Sequence, residues 1–207
     1  MSTQTMKQGI RQSIIAARQK MAVELRSEFS AAITQRVLDL PAYERAKIVL
    51  GYMSFGAEFS TSVWLQQALQ DGKQVLLPKV NSSSKQLELY RVGDLRHDVA
   101  PGAWEIPEPL PERCVRLDAL EQVDFILLPG VAFARDGSRL GYGGGFYDKL
   151  LERINPKIDD PLAVQPALVA AAFSMQLLQE IPQEATDRKV GWLLTENEVI
   201  DCGIEYM

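Results

Sequence analysis

Arg139, four glycines at 141, 143, 144 and 145, and Asp148 crowd into ten consecutive positions. Glycines lack the Cβ atoms that would keep an anion from backbone N–H groups, and a helix N-terminus adds favourable partial charge. Arg139 brings a planar cation suited to phosphate oxygens. Asp148, one turn into the following helix, can hold magnesium, which takes carboxylates together with substrate phosphates. The same residues also fit a plain glycine turn with an aspartate that the helix dipole favours. No G-x-x-x-x-G-K-[ST] occurs, and after Gly141 and Gly143 the third position of a G-x-G-x-x-G is Phe146. Neither common nucleotide-binding fingerprint is present.

The elements around this stretch explain how it would be held. Residues 123–128 form an apolar, partly β-branched run that predicts a buried strand, and the spacing from Phe146 onward predicts an amphipathic helix. Upstream, residues 5–39 predict one or two helices, with a break near Ser27 and Ser30. Lys7 and Arg11 lie four apart, so a helix sets both on one face, either as an anion clamp or as a solvated basic face. Arg18 and Lys20 read as surface charges. Residues 46–53 predict the first buried strand, and Ser60 or Thr61 caps a helix over about 61–70. Glu58 then sits just past a strand's carboxyl end, where open α/β sheets bind ligands, or is an ordinary loop glutamate.

Residues 73–80 predict a second strand that Pro78 ends, and 87–92 a third. Lys79 reads as an anion contact or a strand-end lysine. Trp104 stands in a proline-bounded loop, as a flat stacking face or as a plug at the core's edge. Residues 167–173 predict another buried strand, 174–181 a short helix, and 190–195 the final strand. Asp187 reads as a turn residue before that strand. Alternating strands and helices predict an α/β architecture with a largely parallel sheet covered on both faces.

Composition narrows the function. At 207 residues, 46% hydrophobic and 24% charged, the chain suits one substantial globular domain over 1–207. A net charge of −5 argues against general nucleic-acid binding, so an anionic ligand must be held by local cations. Cys114 and Cys202 form no metal-ligand spacing and point to a reducing compartment. His97 is the sole histidine, and no G-x-S-x-G elbow accompanies it, so it receives no chemistry. No apolar stretch reaches transmembrane length and the N-terminus lacks a signal-like apolar core, which predicts a cytoplasmic protein with no membrane partner.

Residues 129–151, PGVAFARDGSRLGYGGGFYDKLL, closely resemble the signature of the 5-formyltetrahydrofolate cyclo-ligases, also called methenyltetrahydrofolate synthetases. A basic N-terminal helix, a glutamate after a strand, a W-x-I-P segment and a late Asp-x-Lys follow the family's order. The resemblance implies a three-layer α/β/α sandwich of the kind shared with ribose-phosphate isomerases and CoA transferases. It implies ATP-driven cyclisation of 5-formyltetrahydrofolate to 5,10-methenyltetrahydrofolate through a phosphorylated formyl intermediate, with ATP as co-substrate and magnesium as cofactor.

Carried over residue by residue, the resemblance makes Arg139 and Glu58 the catalytic pair. ATP falls to Lys7, Arg11, Arg139, Leu140, Gly141, Tyr142, Gly143, Gly144, Gly145, Phe146 and Tyr147. The reduced folate falls to Met53, Glu58, Trp104, Tyr142 and residues 143–146, and magnesium to Asp148 and Asp187. Some family members carry a lysine where this chain has Gly144, which leaves Lys79 or Lys149 as replacement cations. A monomer binding only small molecules is expected. The competing expectations are a non-catalytic folate- or nucleotide-binding regulator on the same fold and, from fold alone, a sugar-phosphate isomerase that needs no ATP.

Overall fold

The computed structural model describes residues 2–154, 165–184 and 186–203. Among these described residues the helices are α1 (Thr3–Gln19), α2 (Val23–Leu38), α3 (Pro41–Arg45), α4 (Ser62–Gln70) and α5 (Phe146–Ile154). Thirteen strands follow in chain order: β1 (Ile48–Leu50), β2 (Gln74–Asn81), β3 (Gln86–Val92), β4 (Val99–Pro101), β5 (Pro107–Pro109), β6 (Val115–Leu117), β7 (Phe125–Leu128), β8 (Ala132–Ala134), β9 (Arg139–Leu140), β10 (Ala167–Ala171), β11 (Leu177–Leu178), β12 (Trp192–Leu194) and β13 (Val199–Asp201).

Eight of these strands make the main sheet, in the order β13-β12-β10-β7-β1-β2-β3-β6. The inner five run parallel, while β13, β3 and β6 pair antiparallel at the two sides. Side chains alternate across its two faces, as the pleat requires. Val49, Val75, Phe125, Leu127 and Val169 meet Ile33 and Val37 of α2, Tyr43 of α3 and Trp64 of α4. Leu50, Leu76, Ile126, Leu128 and Ala170 meet Leu150, Leu151 and Ile154 of α5. Both faces are thus buried and the three-layer α/β/α arrangement is present.

A small sheet, β11-β8-β9, lies beyond the carboxyl end of β7. Ile14 of α1 packs there against Val131, Ala132, Ala134 and Leu140. That contact brings the basic helix to the glycine segment.

The structure corrects several expectations. The break between α1 and α2 falls at residues 20–22, and Ser27 and Ser30 lie inside α2; Ser30 instead accepts a hydrogen bond from the Ser60 N–H (3.1 Å). Pro78 does not end β2, because β1 covers only Gln74–Leu76 and the lone neighbour beyond is β3. Residues 174–181 hold a single 3-10 turn (Ser174–Gln176) and β11 rather than a helix. Residues 192–194 are not the last strand, since β13 follows. Thr61 precedes α4 but does not cap it: its hydroxyl donates to the Tyr52 C=O (2.6 Å) and accepts from the Ser54 N–H (3.1 Å).

Candidate active site

Arg139 opens β9, just after a tight turn that the Gly137 N–H closes on the Ala134 C=O (3.0 Å). Asp136 accepts from the Ser138 N–H, Gly137 sits at φ +82°, and Arg139 pairs with Phe133 across β8 and β9. Its side chain is only 4% exposed. One guanidinium nitrogen donates to the Pro129 C=O (3.1 Å) and another to Asp148 Oδ1 (2.6 Å), while Nε is buried and has no partner among the described residues. The next two residues are held as well, since Gln176 donates to the Gly130 and Val131 carbonyls.

The loop then turns through Gly143 (φ +103°) and Gly145 (φ +65°), a conformation that other residues adopt only with strain. α5 starts directly afterwards, with Asp148 in its first turn. Gly144 has a steric reason of its own: an added Cβ would stand 2.7 Å from the Phe146 ring. A lysine there would need that ring to move, so the absent lysine is built into this loop's shape.

Two basic residues of α1 reach this loop, and a third reaches the segment that carries Asp187. Arg11 Nε donates to the Gly141 C=O (2.8 Å). Lys7, nearly buried, bridges Asp187 (2.5 Å) and Glu184 (3.0 Å). Burial works against its charge, yet these hydrogen bonds outweigh it, and the Lys7 pKa lies above its ordinary value. Arg18 is the correction: read as a surface charge, it is 3% exposed and donates to the Tyr142 hydroxyl (2.7 Å). The signal was available, because Lys7, Arg11, Ile14 and Arg18 are spaced four, three and four apart, which is one helical face.

Glu58 lies across the loop, in the segment between β1 and α4 that Ser54 and Thr61 clip shut. It is 8% exposed, accepts from the Phe55 N–H (3.0 Å) and takes the Tyr142 hydroxyl proton in a short hydrogen bond. Burial raises its pKa above the usual carboxylate value, against Tyr142, Phe55 and Arg18, which lower it. Tyr142, Tyr147 and Tyr52 are pushed up in turn, by burial first and then by the Glu58 charge. Met53 is partly buried against the neighbouring core.

Aromatic rings flank the loop. Trp104 is 70% exposed and sits edge-on to Phe146 (6.1 Å between centroids), and the Phe55 and Tyr142 rings are 5.2 Å apart. Exposure on that scale removes the core-plug reading of Trp104. The backbone at Trp104 and Glu105 has φ of +55° and +60°, held there by the β4–β5 hairpin. Buried Glu108 of that hairpin accepts from Lys79 (3.3 Å) and the Val80 N–H (3.3 Å). Lys79 therefore ties the Trp104 hairpin to β2, and Lys149 is exposed on α5. Phe55 carried no sequence signal beyond being an aromatic in a loop.

The described residues contain no group of three or more His, Cys, Asp or Glu able to form a protein-only metal cage. Magnesium does not need one, since it is commonly held by one or two carboxylates plus phosphates and water. Asp148 and the segment that carries Asp187 are in contact, for the N–H of Arg188 donates to Asp148 Oδ1 (3.3 Å). Their partners here are Arg139 and Lys7. Two carboxylates beside the buried, unpartnered guanidinium nitrogens of Arg139 and Arg188 are a donor set that fits a magnesium-bound polyphosphate. His97 is exposed and bonded to Asp94 (2.9 Å), apart from these residues.

Residues 3–196 match the 5-formyltetrahydrofolate cyclo-ligase family. The chain belongs to that family. Among its relatives, the mouse 5-formyltetrahydrofolate cyclo-ligase is 30% identical over 196 residues, covering 92% of this chain and 94% of the mouse protein. The Haemophilus influenzae 5-formyltetrahydrofolate cyclo-ligase is 30% identical, with coverage of 90% and 95%. The solution structure of Aquifex aeolicus 5,10-methenyltetrahydrofolate synthetase superposes with a TM-score of 0.79 at 31% identity, over 95% of this chain and 93% of that one. These cyclo-ligase relatives span nearly the whole chain, so the fold described above is the family's fold.

Proposed function

We propose that this chain is an ATP-dependent 5-formyltetrahydrofolate cyclo-ligase, closing its substrate to 5,10-methenyltetrahydrofolate and releasing ADP and phosphate. The observation that carries the reading is Arg139, a buried cation with an unpartnered Nε at the mouth of the glycine loop and beside Asp148. A formyl group on nitrogen is a poor electrophile, and its oxygen is a poor leaving group. Attack of that oxygen on the γ-phosphorus of ATP expels ADP and leaves the formyl oxygen phosphorylated, on an iminium-like carbon. The neighbouring folate nitrogen adds to this carbon and loses its proton, and the C–O bond breaks to release phosphate.

Such chemistry depends on positioning and charge rather than on a protein nucleophile. Arg139 and the loop amides receive the transferred phosphoryl, while Lys7 and Arg11 hold the nucleotide from α1. Glu58 anchors the folate, with Met53 beneath it. The Trp104, Phe55, Tyr142 and Phe146 rings form flat walls that hold the folate ring and exclude water. Asp148, with Asp187 near it, would hold magnesium, which would neutralise phosphate charge. The described chain has no helix long and apolar enough to cross a membrane. A cytoplasmic monomer of one domain, acting on small molecules and not on nucleic acid, completes the proposal.

The deciding experiment mixes purified protein with 5-formyltetrahydrofolate, ATP and magnesium and follows the methenyl product's near-ultraviolet absorbance. ATP-dependent product, weakened in Asp148→Ala, supports the reading. Folded protein that binds folate or ATP but forms no product would make the chain a regulator instead.

A further inference from the structure

Arg18 has no place in the chemistry above, yet it is one of the most buried charges in the structure. Among the described residues its side chain's one hydrogen bond goes to Tyr142, its Nε is buried without a partner, and its guanidinium carbon lies 5.9 Å from the Tyr142 ring centre. A tyrosine hydroxyl has one proton to give. Because Arg18 can only donate, the oxygen of Tyr142 must accept from it, and the Tyr142 proton is directed to Glu58. Glu58 Oε2 is meanwhile engaged by the Phe55 N–H. Each carboxylate oxygen thus has one fixed donor and remaining acceptor capacity, which suits N–H groups along one edge of a flat heterocycle.

Resting on the cyclo-ligase reading, we propose that Arg18 is a positioning residue for the folate: through the Tyr142 hydroxyl it holds Glu58 as a pure acceptor facing the substrate ring. The groups facing Glu58 come from four elements. They are Tyr52 past β1, Tyr142 of the loop, Tyr147 of α5 and Arg18 of α1, and Arg18 is the cation among them. Without it, burial is opposed by the Tyr142 and Phe55 hydrogen bonds and by no cation, so Glu58 is easier to protonate, and a protonated Glu58 loses acceptor capacity and gains a donor. Arg18 shares its helix face with Lys7 and Arg11 but serves the opposite ligand.

The test uses the full chain and the variants Arg18→Met, Arg18→Lys and Tyr142→Phe. Binding of 5-formyltetrahydrofolate is titrated directly without ATP, and steady-state KM is measured for both substrates. Loss of one charged hydrogen bond predicts that Arg18→Met weakens folate binding about tenfold to a hundredfold. The KM for ATP stays within about twofold, as expected for a residue that touches no phosphate. Tyr142→Phe gives a loss of similar order, and the double variant falls well short of the product of the two, since both cut one chain of bonds.

The acid limb of kcat/KM for folate moves to higher pH in Arg18→Met and returns toward the parent position in Arg18→Lys, which keeps the charge. A merely structural Arg18 would raise both KM values together, add freely with Tyr142→Phe and leave the acid limb in place; any of these overturns the proposal. A parent protein that binds folate but makes no product would instead overturn the cyclo-ligase reading, while the binding titrations still judge Arg18.

Discussion

Replacing Arg139 with methionine separates the two duties this residue performs. In the structure it neutralises Asp148 at 2.6 Å and keeps a buried, unpartnered Nε. Removing one member of a fully buried pair costs about 3–5 kcal/mol, because the other charge is stranded. Asp148 is 24% exposed on its side chain and keeps the Arg188 N–H, so a smaller cost of about 1–3 kcal/mol is expected. Adding Asp148→Asn to the methionine variant removes the stranded charge, and the double variant should regain about 1 kcal/mol in chemical denaturation.

Turnover should behave differently. A cation aimed at a transferring phosphoryl is worth about 10²–10⁴ in kcat, or about 3–5 kcal/mol of barrier. That loss should appear in kcat with folate KM changed by less than about threefold, and Asp148→Asn should not restore it. The assay is methenyl absorbance at saturating ATP beside a urea melt of each variant. A kcat within tenfold of the parent, or a defect confined to folate KM, refutes the role given to Arg139.

Three further outcomes follow from the same geometry. Trp104→Gly removes a 70% exposed ring at φ +55°, so stability should hold or rise by up to about 1 kcal/mol while folate KM increases, read by thermal melt and steady-state kinetics. Gly144→Lys sets a Cβ against the Phe146 ring and should lower stability by about 1–3 kcal/mol without improving kcat, as a melt and the same assay will show. Chelating magnesium should abolish turnover yet leave the melting temperature of the protein alone unchanged, because Asp148 and Asp187 already have cationic partners.

Legibility from sequence followed how local each cause was. The loop from Arg139 to Asp148 is contiguous, and its glycine positions state their backbone requirements directly. The long apolar runs at 123–128 and 167–173 announced central strands because both faces are covered. The small sheet was invisible, since strands of two or three residues cannot show a period. Whether Pro78 ends β2 depends on how far β1 reaches alongside it, a tertiary fact. Arg18 was legible in principle from the helical spacing, but its burial arises only when Ile14 seats α1 on the small sheet. Glu58's placement was read correctly; its partner Tyr142, 84 positions away, was not.

The pairs Arg139–Asp148 and Lys7–Asp187 give the site a charge balance of its own. A bare polyphosphate drawn to the two cations would leave two half-buried aspartates uncompensated, and a bare divalent ion drawn to the aspartates would leave two buried cations so. Arriving together, the anion and the metal exchange partners with the pairs, and each of the four buried charges keeps an opposite one. The two ligands should therefore bind with positive cooperativity even without a conformational change, each raising the other's affinity by the same factor. The protein would discriminate the metal-loaded nucleotide from either component by electrostatic bookkeeping alone.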